Sequence, residues 1–241
     1  MSSLTEFRVL CFDVYGTLID WETGVISALQ PLLEANNRTD LSRGQLLEIF
    51  HDIEKSQQQK TPDMTYTELL TTVHPQLAAR LALETPSVED SRVFGQSIGR
   101  WPAFPDTVNA LHELSKRYHL VVLSNVDRES FAATNAGPLQ GFNFSMIITA
   151  QDVGSYKPNP RNFEVMLEKV QSKFGVGKSQ VLQVAQSQFH DHHPAHTMGI
   201  KSCWIVRPGA IMGNKEEEIY DWKFDTLGDL AWEVDKELKA Q

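Results

Sequence analysis

Cysteine is scarce in this sequence. Only Cys11 and Cys203 occur among 241 residues, so a disulfide framework is excluded by count. Each lies in a short apolar run and reads as a reduced core thiol, because a free buried cysteine packs as a small hydrophobe. Long hydrophobic runs are missing too: no window approaches the roughly eighteen apolar residues that mark a membrane span. Residues 1–7 lack an apolar stretch of secretory type. The expectation is a soluble, cytoplasmic protein with no membrane partner. Nor is there a basic excess, with 22 Lys and Arg against 31 Asp and Glu, a formal net charge of -9. A nucleic-acid partner calls for a clustered basic face, and none is visible. No internal repeat or low-complexity tract occurs, the Gln57-Gln58-Gln59 triplet being too short.

What remains is an ordinary globular composition, 41% hydrophobic and 22% charged. Five short apolar runs, at 7–12, 120–123, 146–149, 181–185 and 203–206, have the length and density of strands covered on both faces. Helical patterns separate them. Residues 107–118 place Val108, Leu111 and Leu114 on one face. Residues 160–174 place Phe163, Met166, Leu167 and Val170 on one stripe, with Pro160 where a first turn tolerates it. Strands alternating with helices predict an α/β fold, a doubly wound parallel sheet with helices on both sides. Between residues 20 and 104 the pattern changes. Helical periods at 23–35, 43–58, 66–83 and 87–99 follow one another without a strand, and Pro102 and Pro105 mark the return. The expected organisation is a core of residues 1–19 and 105–241 with an inserted helical cap domain at 20–104.

Chemistry-bearing residues collect just past the strands. Asp13 follows the first, Ser124 and Asn125 the second, Lys157 the third and Asp191 the fourth. Open parallel sheets bind ligands in the crevice beyond their strands' carboxyl ends. Turn or cap duty explains each residue singly, but not four strands delivering reactive groups to one edge.

The run Asp13-Val14-Tyr15-Gly16-Thr17-Leu18 resembles the first motif of the haloacid dehalogenase superfamily. Ser124-Asn125 resembles its second, Tyr156-Lys157-Pro158 its third, and Ser187 with Asp191 its fourth. The resemblance runs through most of the core, and the helical block matches the cap of that branch. It implies a Rossmann-like core with the site between core and cap, where closure would exclude water. Phosphatases of the superfamily carry a second aspartate two residues after the nucleophile; here that position is Tyr15. Asp-x-Tyr-Gly-Thr is similar to the 2-haloacid dehalogenase subgroup, which implies no metal and no other cofactor. The implied substrate is a small anionic 2-haloalkanoic acid, converted to the 2-hydroxy acid.

That resemblance implies Asp13 as nucleophile, forming an ester intermediate. Lys157 would relieve the repulsion between Asp13 and an anionic substrate, and Asp191 would pair with Lys157 and activate water. Thr17, Ser124 and Asn125 would orient carboxylates. Tyr15, Ser187, Gln188 and His190 would complete the substrate-binding shell. A homodimer is compatible with the resemblance.

The sequence departs from the subgroup in places. The early second cap helix, Glu48-Ile49-Phe50-His51-Asp52-Ile53-Glu54, lacks the arginine that grips a substrate carboxylate, and Arg43 lies about two turns earlier. Phe163 stands where a tyrosine is expected. The fourth motif reads Ala185-Gln186-Ser187-Gln188-Phe189-His190-Asp191, with longer amides than usual. His192 and His196 are spaced i, i+4, yet no second pair offers the remaining zinc ligands; His190 is expected to face the site and the other histidines to be solvated or bonded locally. Two alternatives stay open: a hydrolase of the same superfamily acting on another substrate, such as a phosphate ester with Mg²⁺, and a non-catalytic binding protein on the same fold.

Overall fold

The computed structural model describes residues 3–214 and 217–240. Its strands are β1 (Val9–Phe12), β2 (His119–Ser124), β3 (Met146–Thr149), β4 (Val181–Ala185), β5 (Lys201–Ile205) and β6 (Trp222–Phe224). The helices, in chain order, are α1 (Trp21–Ala35), α2 (Arg43–Lys60), α3 (Tyr66–Arg80), α4 (Val88–Gly95), α5 (Thr107–Ser115), α6 (Arg128–Ala136), α7 (Ala150–Val153), α8 (Pro160–Phe174), α9 (His193–Thr197) and α10 (Leu227–Lys239). The described chain divides into two compact units. One holds the residues up to Ile19, Ala103–Asn125 and everything from Leu139 onward; the other holds Asp20–Pro102 and Val126–Pro138.

In the first unit the strands form one fully parallel sheet in the order β3-β2-β1-β4-β5-β6. β1 and β4 are buried at every position, which is why β1 reads as a continuous apolar run and β4 as one broken only by Gln183, rather than as alternating patterns. Val9, Cys11, Val121, Leu123, Ile148 and Val181 pack with Phe163, Met166 and Val170 of α8 and Ala195 of α9. Cys11 and Cys203 are free and buried, as expected. β6 was not foreseen, for three residues at the sheet's edge carry too little pattern to show a period. The topology reverses between β1 and β4, and the ends of those two strands position the site.

The second unit is helical. Ser42, Thr65 and Ser87 each open a helix with a reciprocal capping box. The expected helix at 87–99 is instead α4 followed by a tight turn, Gln96–Arg100. The unit also takes in α6, which the sequence reading left within the core. One carboxylate explains that placement: Asp127 Oδ1 accepts the Ser130 N–H of α6 at 2.9 Å, while Oδ2 accepts the Tyr66 N–H of α3 at 2.7 Å. Both bonds and the Ser130 hydroxyl hold its pKa below the usual carboxylate value despite burial, which pulls the other way. No helix among the described residues is long and apolar enough to cross a membrane.

Gly24 of α1 packs against the buried Trp101 side chain, and a Cβ there would lie 2.3 Å from Trp101 Cγ. Alanine is normally favoured over glycine inside a helix by about 1 kcal/mol. The clash should outweigh that gain, since overpacking costs about 1–3 kcal/mol or more. We expect Gly24→Ala to lower the thermal unfolding midpoint; an unchanged or higher midpoint would refute this packing account.

Candidate active site

The site begins where β1 ends. Asp13 N–H donates to Val184 O at 3.1 Å, carrying the pairing with β4 one residue further. The chain then turns back on itself, Thr17, Leu18 and Ile19 all donating to Val14 O. Gly16 makes the turn at φ +99°, a conformation that side-chain-bearing residues rarely adopt. The turn brings the Thr17 hydroxyl within 2.7 Å of Asp13 Oδ2, to which it donates, and the same hydroxyl accepts Gln186 N–H at 2.9 Å. The loops after β1 and β4 are thereby tied through one oxygen atom.

Asp13 Oδ1 accepts from Lys157 Nζ at 2.9 Å, and Lys157 Nζ also donates to Asp191 Oδ1 at 2.8 Å. The three predicted catalytic residues therefore meet, all of them buried. Gln183 Nε2 adds a second donor to Asp191 Oδ1 at 2.9 Å. Burial opposes the Lys157 charge, but Asp13 and Asp191 outweigh it, so the lysine pKa lies above its ordinary value. One ammonium cannot balance two carboxylates, and the excess negative charge sits in a dry place. Burial accordingly pushes Asp191 up to about 7, with the Asp13 charge adding to the rise and Lys157 and Gln183 opposing it.

Lys157 is held by its backbone. Its N–H donates to Asn125 Oδ1 at 2.7 Å and its carbonyl accepts Asn125 Nδ2 at 3.0 Å, beside a cis Lys157–Pro158 bond. Asn125 thus spends its amide on the lysine loop. Ser124 is buried, with a hydroxyl that has no hydrogen-bond partner among the described residues. Tyr15 is half-buried and bridges to Ile19 through its backbone. Ser187 caps the turn after β4, its Oγ accepting His190 N–H at 3.2 Å and lying 3.1 Å from His190 Nδ1. The turn is unusually wide, His193 N–H reaching back five residues to Gln188 O, and Pro194 follows without an N–H to close a tighter one.

The amides of the fourth motif have work of their own. Gln188 Oε1 accepts Ile219 N–H at 2.9 Å, and Gln186 Nε2 donates to Met212 O and Asn214 Oδ1. They fasten the segment after β5. Of the histidines, His192 is fully buried rather than solvated. Its Nε2–H donates to Ala185 O at 2.9 Å and its Nδ1 lies 3.0 Å from Ser202 Oγ; burial pushes its pKa down to about 4. His193 bonds to Glu217 O. No group of three or more His, Cys, Asp or Glu among the described residues is arranged to hold a metal ion. In the helical unit, Arg43 is engaged by buried Glu22 at 3.2 Å.

Sequence reasoning passed over Arg207. This buried side chain donates to Thr17 O at 2.9 Å, Asp106 Oδ1 at 2.6 Å and Thr107 Oγ1 at 3.2 Å, with its guanidinium 4.1 Å above the Phe104 ring. Its φ of +55° is uncommon for a residue with a side chain. The one signal was a charge directly after an apolar strand, ahead of Pro208.

Residues 7–184 match the family described as haloacid dehalogenase-like hydrolase. Among solved structures, a defluorinating L-2-haloacid dehalogenase is similar over 95% of both chains, at 17% identity and a TM-score of 0.77. The L-2-haloacid dehalogenase of Xanthobacter autotrophicus is similar over 95% of this chain and 98% of its own, at 20% identity and a TM-score of 0.75. A magnesium-bound HAD-hydrolase of Bacillus subtilis is similar over 95% and 99%, at 19% identity and a TM-score of 0.74. A phosphoserine phosphatase of Thermus thermophilus is 26% identical over 120 residues, 49% of this chain and 47% of that protein. The chain thus spans about half the length of the curated relative it matches. The solved structures show a shared fold.

Lys157→Met tests the electrostatics. Removing the ammonium leaves two buried carboxylates without their counter-charge, and breaking such a pair costs about 3–5 kcal/mol. The stranded carboxylates would bind protons in the folded state that they shed when unfolded, so the loss should grow as pH rises from 5 to 8. Urea unfolding at both pH values checks this; an equal loss at each would mean that Lys157 contributes packing and not charge.

Proposed function

The chain belongs to the haloacid dehalogenase-like hydrolases, and on that premise we propose that it displaces halide from a small 2-haloalkanoic acid without a metal ion. The observation that carries the reading is Lys157 Nζ within hydrogen-bond reach of both Asp13 Oδ1 and Asp191 Oδ1, with a tyrosine at position 15.

In the first step an Asp13 carboxylate oxygen attacks the halogen-bearing carbon. The carbon–oxygen bond forms as the carbon–halogen bond breaks, and halide leaves with the electron pair. Thr17 and Lys157 hold the carboxylate, and the lysine charge offsets the approach of an anionic substrate. In the second step Asp191 takes a proton from water as the oxygen adds to the Asp13 ester carbonyl. Collapse breaks the bond from the acyl carbon to the ester oxygen; the leaving alkoxide takes the proton back, and the 2-hydroxy acid departs. Asp13 returns with one oxygen derived from water and releases a proton to solvent.

The donor set fits Mg²⁺ poorly. Magnesium favours several oxygen ligands at close range, whereas Asp13 has one oxygen on the Thr17 hydroxyl and one on an ammonium, Asp191 offers only Oδ2 without a donor, and no group of three or more His, Cys, Asp or Glu among the described residues is arranged to hold the ion. A phosphate ester is the substrate class that the Thermus relative favours. It asks for a general acid at the position of Tyr15.

Halide release from short 2-chloro- and 2-bromo-acids, with EDTA present, is expected from the wild type and not from Asp13→Asn. In H₂¹⁸O a single turnover should label Asp13. Ester hydrolysis should quicken as pH rises, with a midpoint below that of the resting enzyme, because Asp191 must lose its proton before it can accept one from water and the Asp13 charge that raises it is absent in the ester. Silence from every haloacid, with Mg²⁺-dependent release of phosphate from phosphate esters, would replace this reading.

A further inference from the structure

β4 is buried along its whole length, yet its central residue is an amide. Gln183 lies in register with Cys11 of β1 and Ser202 of β5, and it is fully buried. An amide in such surroundings is costly unless its polar atoms are paired. Only one end is. Nε2 donates to Asp191 Oδ1, whereas Oε1 has no partner among the described residues. Asp191 has the same asymmetry: Oδ1 receives Lys157 and Gln183, and Oδ2 receives nothing among the described residues. Two donors on one oxygen fix the carboxylate plane and leave the other oxygen as the basic one.

We propose that Gln183 is a positioning residue for the water-activating step, its Nε2–H acting with Lys157 to hold Asp191 Oδ1 so that Oδ2 is left to accept a proton from water. The identity of the step rests on the hydrolase reading above; the action of Gln183 on Asp191 does not. The groups around Asp191 are Lys157 from the loop after β3, Asp13 beyond β1, the Cys11 thiol within β1, and His192 next along the chain. Burial pushes the thiol up and the imidazole down, so both are neutral near pH 7. Lys157 and Asp13 bear on Asp191 in opposite directions, and the Gln183 bond favours the charged form. In Gln183→Met the volume is nearly kept while a donor and an unpaired carbonyl are both lost, so the fold should survive; Gln183→Leu serves the same end.

The test is a ¹³C titration of the aspartate carboxyl groups in the full chain, with Asp191→Asn to assign the signal. Loss of one donor to a charged group should raise the Asp191 midpoint by about one pH unit in Gln183→Met. Gln183→His, which keeps an N–H, should stay close to wild type. A midpoint unmoved in Gln183→Met, or raised equally in Gln183→His, overturns the proposal. On 2-chloropropionate, the halide burst of Gln183→Met should match wild type, while ester hydrolysis slows by up to about tenfold below the Asp191 midpoint of the intermediate and recovers as pH rises. A slowed burst with normal ester hydrolysis would also count against it. If wild type releases no halide, the dehalogenase reading falls, and the titration still decides the role of Gln183.

Discussion

Lys157 Nζ stands between Asp13 and Asp191 with almost no access to water. Taking three charges out of water is expensive, by several kcal/mol per ion even after relaxation. Their attraction compensates only if the geometry is tight and the remaining lone pairs are satisfied. Much of the core unit can be understood as meeting that condition. Thr17 supplies a hydroxyl to Asp13, Gln183 an amide to Asp191, and Asn125 grips the lysine backbone from both sides. The supports come from three loops or strands distant in sequence, so the cluster forms only when the sheet does.

The excess charge is the chemically useful part. A balanced pair would be inert, whereas two carboxylates sharing one ammonium leave a proton affinity that burial places near neutrality. Asp13 is tied to Thr17 and Lys157, and Asp191 is tied on one oxygen only. Two chemically identical side chains are thereby given different environments, the condition under which one can act as nucleophile and the other as base.

Legibility in the sequence follows the range of the interactions. α8 could be read to the residue, because Pro160 opens it, Gly175 closes it in a left-handed turn and its apolar stripe is local. β3 and β4 were equally plain. α6 was not, since its place depends on Asp127 capping a helix sixty-one positions away. Asp13, Lys157 and Asp191 could be picked out because each follows an apolar run, and their convergence on one sheet edge follows from those strand ends; the pairing of Lys157 with Asp191 came from the resemblance. Gln183 escaped notice although its partner Asp191 lies only eight positions on, because a single amide within an apolar run carries no period; Arg207 did so because nothing near it in the chain reports its partners. Arg207 reaches Thr17 across 190 positions. Gln188 was read as part of the substrate shell, yet its carbonyl oxygen serves the backbone of Ile219.

Asp127 also bears on how the helical unit could be handled as a module. Two chain segments build it, and one carboxylate serves the first turn of a helix from each. Thr134 adds a bond to Ile98 O, and Gly137 approaches Gly99 O so closely that a Cβ would stand 2.7 Å from it. A fragment cut at 20 and 102 would therefore leave the Tyr66 amide and the Ile98 carbonyl without these partners, and would bare the surface that α6 covers. Exchanging this unit between related proteins means moving two segments together, with their junctions at 19/20, 102/103, 125/126 and 138/139.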